Sequence, residues 1–223
     1  MRIGLLSDIH GNLPALEAVL EDMDAVDTII CVGDIVGYNP WPAECVDRVQ
    51  DVCSLVVQGN HDRTVETPER YAANEMARAG LEYARGELTA KQRQWLADLP
   101  PRTVFTNNTY QLAHSHPDPH KLDRYVRPAE FPKMRPYLDD HEGIVIGHTH
   151  IQHKAVIDDR LIVNPGSVGQ PRDGNSDAAY AILDTGERNV EMRRVEYDIN
   201  RVISRVEEVG LPKRTGARLL DGS

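Results

Sequence analysis

Lysine, cysteine, aromatic side chains and long apolar runs are all scarce in this 223-residue chain, and each scarcity excludes something. Five Lys stand against 20 Arg, and the net charge is −10, so there is no broad basic footprint for an extended nucleic acid. The three cysteines, Cys31, Cys45 and Cys53, are odd in number and form no C-x-x-C pair, which argues against a disulfide framework and a zinc ribbon. No apolar run approaches the roughly 18 residues that a membrane span needs, and Met1-Arg2 leads straight into a strand pattern without a signal-peptide core. A cytoplasmic protein with no membrane partner is expected. One α/β domain over residues 1–223 suits this length; oligomeric state is not dictated, and a homodimer is admitted.

What is present is a repeated pattern of short apolar runs that end in oxygen or imidazole donors. Thr28 to Val32 leads into Gly33-Asp34-Ile35-Val36-Gly37; Ile3 to Leu6 into Ser7-Asp8-Ile9-His10; Ser54 to Gln58 into Gly59-Asn60-His61-Asp62; Ile144 to Ile146 into Gly147-His148-Thr149-His150. β-Branched runs bounded by glycine read as buried strands, and the carboxyl edge of an α/β sheet is where sites are assembled. A lone Gly-Asp is more often a turn. Four such loops predict one convergent pocket.

Helical faces alternate with these strands. Asn12 caps a helix with Leu13, Leu16, Val19 and Leu20 on one face, and Ala43 to Val52 forms a second, so parallel pairs with crossover helices are expected. Residues 67–98 read as helical, with Met76, Ala79 and Tyr83 on a core face. Thr103 to Thr106 and Thr109 to Ala113 read as a hairpin around a two-residue loop, Asn107-Asn108. The stretch between His116 and Glu142, with five prolines counting Pro117, reads as a functional loop or lid. Strands at 152–157, 160–163, 178–183 and 189–195 then suggest an antiparallel portion, and Asp198 caps a closing helix that Gly210 ends.

The loops offer Asp8, His10, Asp34, Asn60, His114, His148 and His150. A mononuclear zinc site needs three or four ligands, so seven donors suggest two metals that share a carboxylate, and a bridging Asp34 gives four ligands on each side. Carboxylate and imidazole without thiolate suit two divalent ions, Mn²⁺ first, with Fe, Zn, Ni or Co as alternatives.

In this order, Asp8-Ile9-His10, Gly33-Asp34, Gly59-Asn60-His61-Asp62, His114 and Gly147-His148-Thr149-His150 resemble the successive motifs of the calcineurin-like metallophosphoesterases, and the small single-domain bacterial and archaeal branch in particular. Asn164-Pro165-Gly166-Ser167-Val168-Gly169-Gln170-Pro171-Arg172 resembles that branch too. The resemblance implies a four-layer αββα sandwich with mixed parallel and antiparallel sheets. It implies Asp8, His10, Asp34 and His150 around one metal, and Asp34, Asn60, His114 and His148 around the other. His61 would stand by the scissile phosphate, oriented by Asp34 or Asp62.

The implied reaction is hydrolysis of a phosphodiester, or a phosphomonoester, in a small or medium substrate, by a water that bridges and is acidified by the two metals. Asn60 and Arg172 are the expected substrate contacts, with Arg124 or Tyr125 as further candidates in the long loop. The family usually has Gly after the histidine at 114, and here Ser115 and His116 follow, so the ligand register between His114 and His116 stays open. Asn39 stands where the branch often has Gly. The 164–167 turn reads equally as a tight turn or a wall behind the metals. The rival function is a catalytically silent metal-binding scaffold on the same fold.

Overall fold

The computed structural model describes every residue except Asp24, Asn108 and Asp139. The chain runs β1 (Arg2–Leu6), α1 (Leu13–Asp22), β2 (Thr28–Cys31), α2 (Pro42–Val52), β3 (Leu55–Val56), α3 (Asn60–Thr64), α4 (Glu75–Glu87) and α5 (Ala90–Asp98). It continues through β4 (Arg102–Phe105), β5 (Tyr110–Ala113), β6 (Gly143–Val145), β7 (His153–Ile157), β8 (Arg160–Asn164), β9 (Ala178–Asp184) and β10 (Asn189–Val195), and closes with α6 (Ile199–Glu208) and α7 (Lys213–Ala217).

Two five-stranded sheets result, in the orders β10-β9-β1-β2-β3 and β4-β5-β6-β8-β7. β1, β2 and β3 pair in parallel, as do β5, β6 and β8; β9, β10, β4 and β7 add the antiparallel pairs. Strand alternation sends neighbouring residues into different layers. Ile3, Leu5, Ile30, Leu183 and Val190 meet Leu112, Val145, Leu161 and Val163 between the sheets. Leu6, Cys31, Val56, Tyr180 and Ile182 face the other way, against Leu16, Val19, Val46, Val49, Leu81, Leu96, Val202 and Val206 of the helices.

The sheets are mixed and flanked by helices, as expected, but the fourth layer is thin. On the outer face of the second sheet, Ile144, Ile146 and Ile162 are covered by Phe131 and Met134 of a 3₁₀ stretch, Pro128–Tyr137, and by Val126 and Leu138 on either side of it. Pro132 and Pro136 within it cannot donate the backbone bonds of an α-helix, which accounts for the tighter form. Part of the segment expected to be a functional loop or lid, residues 128–138, thus forms a packed wall.

Three local expectations shift. The buried face of α4 is Ala77, Gly80, Leu81 and Ala84, with Ala79 and Tyr83 only flanking the core. A Cβ at Gly80 would lie 2.2 Å from the Tyr38 amide nitrogen, so the helix turns its smallest residue to that loop. The β4–β5 register pairs Phe105 with Tyr110, which leaves a four-residue connection in place of the two-residue loop; Asn108 of that loop lies outside the described residues. The strand before Asn60 shortens to two residues.

Candidate metal centre

Asp8 and His10 follow β1, Asp34 follows β2, Asn60 and His61 open α3 after β3, His114 follows β5, and His148 and His150 follow β6. All are nearly inaccessible to solvent. Asp8, His10, Asp34, His148 and His150 have φ between +49° and +67°, the left-handed region that costs a non-glycine residue about 1–2 kcal/mol. Strain repeated at adjacent functional positions persists only where the surroundings over-determine it. Here the loops clamp one another: the Asp8 amide donates to the Gly33 carbonyl, His10 to Asp34, and Gly147 to His114. The fit is close enough that a Cβ at Gly59 would lie 2.0 Å from Asp34 Oδ1.

The 164–172 segment acts both as turn and as wall. Asn164 Nδ2 donates to the Gly147 carbonyl, Ser167 Oγ to the Asp8 carbonyl, and the amides of Gly169 and Arg172 to the carbonyls of Asp8 and His150. Asn39, buried, fastens the same wall to the first loop by donating to the His10 and Gly169 carbonyls. The left-handed residue nearby is Tyr38, not Asn39.

Each carboxylate spends one oxygen on the protein and keeps one for the cleft. Asp8 Oδ2 accepts from Ser7 Oγ and the His148 amide, while Oδ1 is buried without a hydrogen-bond partner. Asp34 Oδ1 accepts the His61 amide, and Oδ2 lies 3.6 Å from His10 Nε2 and 3.3 Å from His114 Nε2.

Carbonyl oxygens set the imidazole tautomers. Nδ1–H of His10 donates to Val36, of His114 to Val32 and of His150 to Gln170, so in each neutral ring Nε2 carries the free lone pair. His148 is reversed, with Nε2–H donating to the Asp123 carbonyl. Two groups of donor atoms within 4.8 Å result: Asp8, His10 and His150, and Asp34, His114 and His148. Asp34 also groups with His10 and His61. Asn60 Oδ1, 3.1 Å from His114 Nε2, adds an amide donor to the second group.

Electrostatics match a site designed for cations. Burial lowers His61 and His148 to about 4 and holds His10 well down despite Asp34, which keeps these rings neutral. At His114 burial also lowers, but the charges of Asp34 and Asp8 overcome it and raise the ring to about 10. The two carboxylates therefore draw positive charge most strongly between Asp34 and His114. Burial works to raise Asp8 and Asp34, yet the neighbouring imidazoles hold both carboxyls below the ordinary range.

After β5 it is His114 whose ring nitrogen groups with the donor atoms of Asp34 and His148. His116 points elsewhere, its Nδ1 accepting the Asp118 amide and its ring standing edge-on to Tyr137. Asp62 and Arg124 do not occupy their expected places. The Asp62 carboxylate accepts four amides, those of Asp34, Gly59, Ile35 and Val36, at 2.8–3.3 Å, and no hydrogen bond among the described residues joins Asp34 or Asp62 to the His61 ring. Burial and the Asp34 charge push the Asp62 carboxyl up, and the amides of Gly59 and Val36 pull it back. What holds His61 is ring packing: Tyr38 and Tyr71 each have centroids 4.9 Å away, and His10 stands edge-on at 4.8 Å. Arg124 pairs with Glu130 at 3.1 Å.

The cleft above this cluster encloses about 360 Å³. Arg172 and Tyr125 line it as expected; Tyr38, Tyr71 and Arg218 join them without having been foreseen. Tyr71 accepts from Asn60 Nδ2, which turns the Asn60 oxygen toward His114. No spacing pattern marks it, since it lies in a 3₁₀ turn, Pro68–Tyr71.

A two-sheet sandwich carrying buried Asp and His side chains at its strand ends is the architecture of the metallophosphoesterases. The chain belongs to the calcineurin-like phosphoesterase superfamily, whose domain model matches residues 1–188. A metallophosphoesterase from Sphaerobacter thermophilus of known structure is 35% identical, covers both chains in full and superposes with a TM-score of 0.86. An uncharacterized protein of Methanocaldococcus jannaschii is 33% identical over 99% of this chain and 98% of its own. Phosphodiesterase YfcE of Escherichia coli K12 is 29% identical over 82% of this chain and 88% of its own. The chain is thus similar throughout to phosphoester hydrolases that depend on metal.

Proposed function

We propose that this protein is a dinuclear metal-dependent phosphodiesterase, working in the cytoplasm on a small or medium phosphoester. The observation that carries the reading is the facing pair His10 Nε2 and His150 Nε2, 3.1 Å apart. Both rings commit Nδ1–H to a carbonyl, so two lone pairs confront each other beside the unpartnered Asp8 Oδ1, 3.2 Å from His150. A cation among these three atoms removes the repulsion and satisfies the buried oxygen.

Asp8, His10 and His150 with Asp34 would hold one ion, and Asp34, Asn60, His114 and His148 the other. Bound there, two divalent cations would neutralise a phosphoryl group and acidify a water between them. Asp34 Oδ2, 3.6 Å from His10 Nε2 of the first group and 3.3 Å from His114 Nε2 of the second, is the oxygen we assign to span them. His61 has Nδ1 buried against Gly37 and without a partner, so Nε2 is the nitrogen assigned to face the phosphoryl oxygens, whose negative charge would favour the protonated ring that passes a proton to the leaving group. Arg172 supplies charge at the rim. The relative named a phosphodiesterase supports the diester over the monoester, and oxygen and imidazole donors support Mn²⁺ as the first ion to try. Three unpaired thiols suit a reducing compartment.

The test is a metal-resolved screen of purified protein against mono-, di- and cyclic phosphoesters. Chelation should abolish hydrolysis of bis(4-nitrophenyl) phosphate and Mn²⁺ should restore it. Full metal content without turnover on any ester would instead favour the silent scaffold.

A further inference from the structure

The superfamily match ends at residue 188, and the chain beyond it sends a side chain back into the cleft. After α6, Leu219 is buried in the helix-side core, and the Gly222 carbonyl accepts from the Gly174 amide, two residues beyond Arg172. This docking leaves Arg218 at the rim alongside Arg172.

Among the described residues, neither guanidinium group is matched by a side-chain carboxylate at ion-pair distance, although the Asp221 charge acts on Arg218 behind that of Arg172. Arg172 bonds the Tyr38 hydroxyl and Gln170 Oε1, and its Nε is buried with no partner. Arg218 bonds the Ser223 carbonyl through Nε, which leaves its two terminal nitrogens without a partner. The two sense each other: burial and then the Arg172 charge lower Arg218. Like charges on one wall of a cleft, partly desolvated and with spare N–H donors, favour an anion between them, and planar guanidinium forks suit phosphate oxygens. The pair stands one tyrosine ring from the centre, since Tyr38 packs on His10 and His61 at 4.8 and 4.9 Å and takes Arg172 over its face at 5.7 Å.

We infer that Arg172 and Arg218 form a subsite for a second, non-scissile phosphate, so that the substrate is a phosphodiester bearing a terminal phosphate. This rests on the phosphodiesterase reading above and adds what the other end of the substrate must carry. Tyr38 then acts as a spacer between the cleaved and the recognised phosphate.

The test compares two dinucleotides that differ only in that group, ApA and its 5′-phosphorylated form pApA. For the metal-loaded protein, kcat/KM for pApA should exceed that for ApA by about 10-fold or more, as expected for a well-paired charged contact. Arg218→Gln should bring the ratio near unity, mainly through KM, and Arg218→Lys should retain part of it. A ratio near one in the wild type, or an unchanged ratio in a folded Arg218→Gln, overturns the subsite. Calorimetric binding of ApA and pApA to EDTA-treated protein gives an independent reading: pApA should bind more tightly, and Arg218→Gln should erase the difference. Absence of turnover on both dinucleotides and on bis(4-nitrophenyl) phosphate with every metal would end the diesterase reading. The binding comparison would still decide the subsite, with equal affinities refuting it.

Discussion

Replacing Asp62 by Asn changes one atom and tests what the carboxylate is for. Its Oδ1 accepts from Ile35 at 2.9 Å and Val36 at 3.3 Å, and its Oδ2 from Asp34 at 2.8 Å and Gly59 at 3.0 Å. An amide in either orientation turns an NH₂ toward two buried backbone donors. Each loses its acceptor, and a buried unsatisfied donor costs about 1–3 kcal/mol, so the variant should lose about 2–6 kcal/mol. For a domain of this size that is a fall in Tm of roughly 4–24 °C. Because either orientation strands amides of the loop that carries Asp34, metal affinity should fall as well, by about 10- to 100-fold, the range for groups that orient ligands. Differential scanning calorimetry and metal analysis of the dialysed protein read both effects. An Asp62→Asn protein with wild-type Tm and full metal, but depressed kcat, would refute the clamp and return Asp62 to the role of orienting His61.

Four further outcomes follow from the same geometry. His61→Ala should keep its metal, measured by elemental analysis, while kcat falls by about 10²–10⁴; full activity would exclude the acid role. Asp34→Asn should empty at least one metal position, and stoichiometric binding of two ions by that variant would remove Asp34 as the bridge. Tyr71→Phe removes the hydroxyl that turns Asn60 and should weaken metal binding about 10-fold in a competition titration with a chelating dye. Burial pushes Cys53 up to about 12 and Cys31 and Cys45 well above the usual thiol range, so thiolate is scarce in the folded protein at about pH 8. Ellman's reagent should therefore stay colourless until denaturant is added, when all three thiols react.

The donor loops were legible because each follows a short β-branched run, and a strand end is a fixed point from which the next two side chains can be placed. Asp8, His10, Asp34, His148 and His150 needed no long-range information beyond the parallel order of the strands. His61 was placeable but its support was not, because ring packing by Tyr38 and Tyr71 depends on which turns meet in space. Asp62 misled because a carboxylate next to a histidine in sequence suggests a dyad, whereas the start of α3 points it back at the Asp34 loop. The face of α4 slipped by one position because Gly80, which has no side chain to mark a core face, is the residue that abuts Tyr38. Arg218 carries no motif; its importance comes from Leu219 and Gly222 pinning the tail.

The proline-interrupted 3₁₀ wall has a bearing on how this scaffold diversifies. Its hold on the second sheet rests on a few apolar anchors such as Phe131 and Met134, whereas the donor loops interlock at the carboxyl ends of the strands. The stretch just before the wall, by contrast, delivers Asp123 and Tyr125 to the cleft. Lengthening or rewriting it would remodel the mouth of the cleft, but it would also withdraw the Asp123 carbonyl and the Tyr125 ring that hold His148, so a change there reaches the donor cluster as well as the rim.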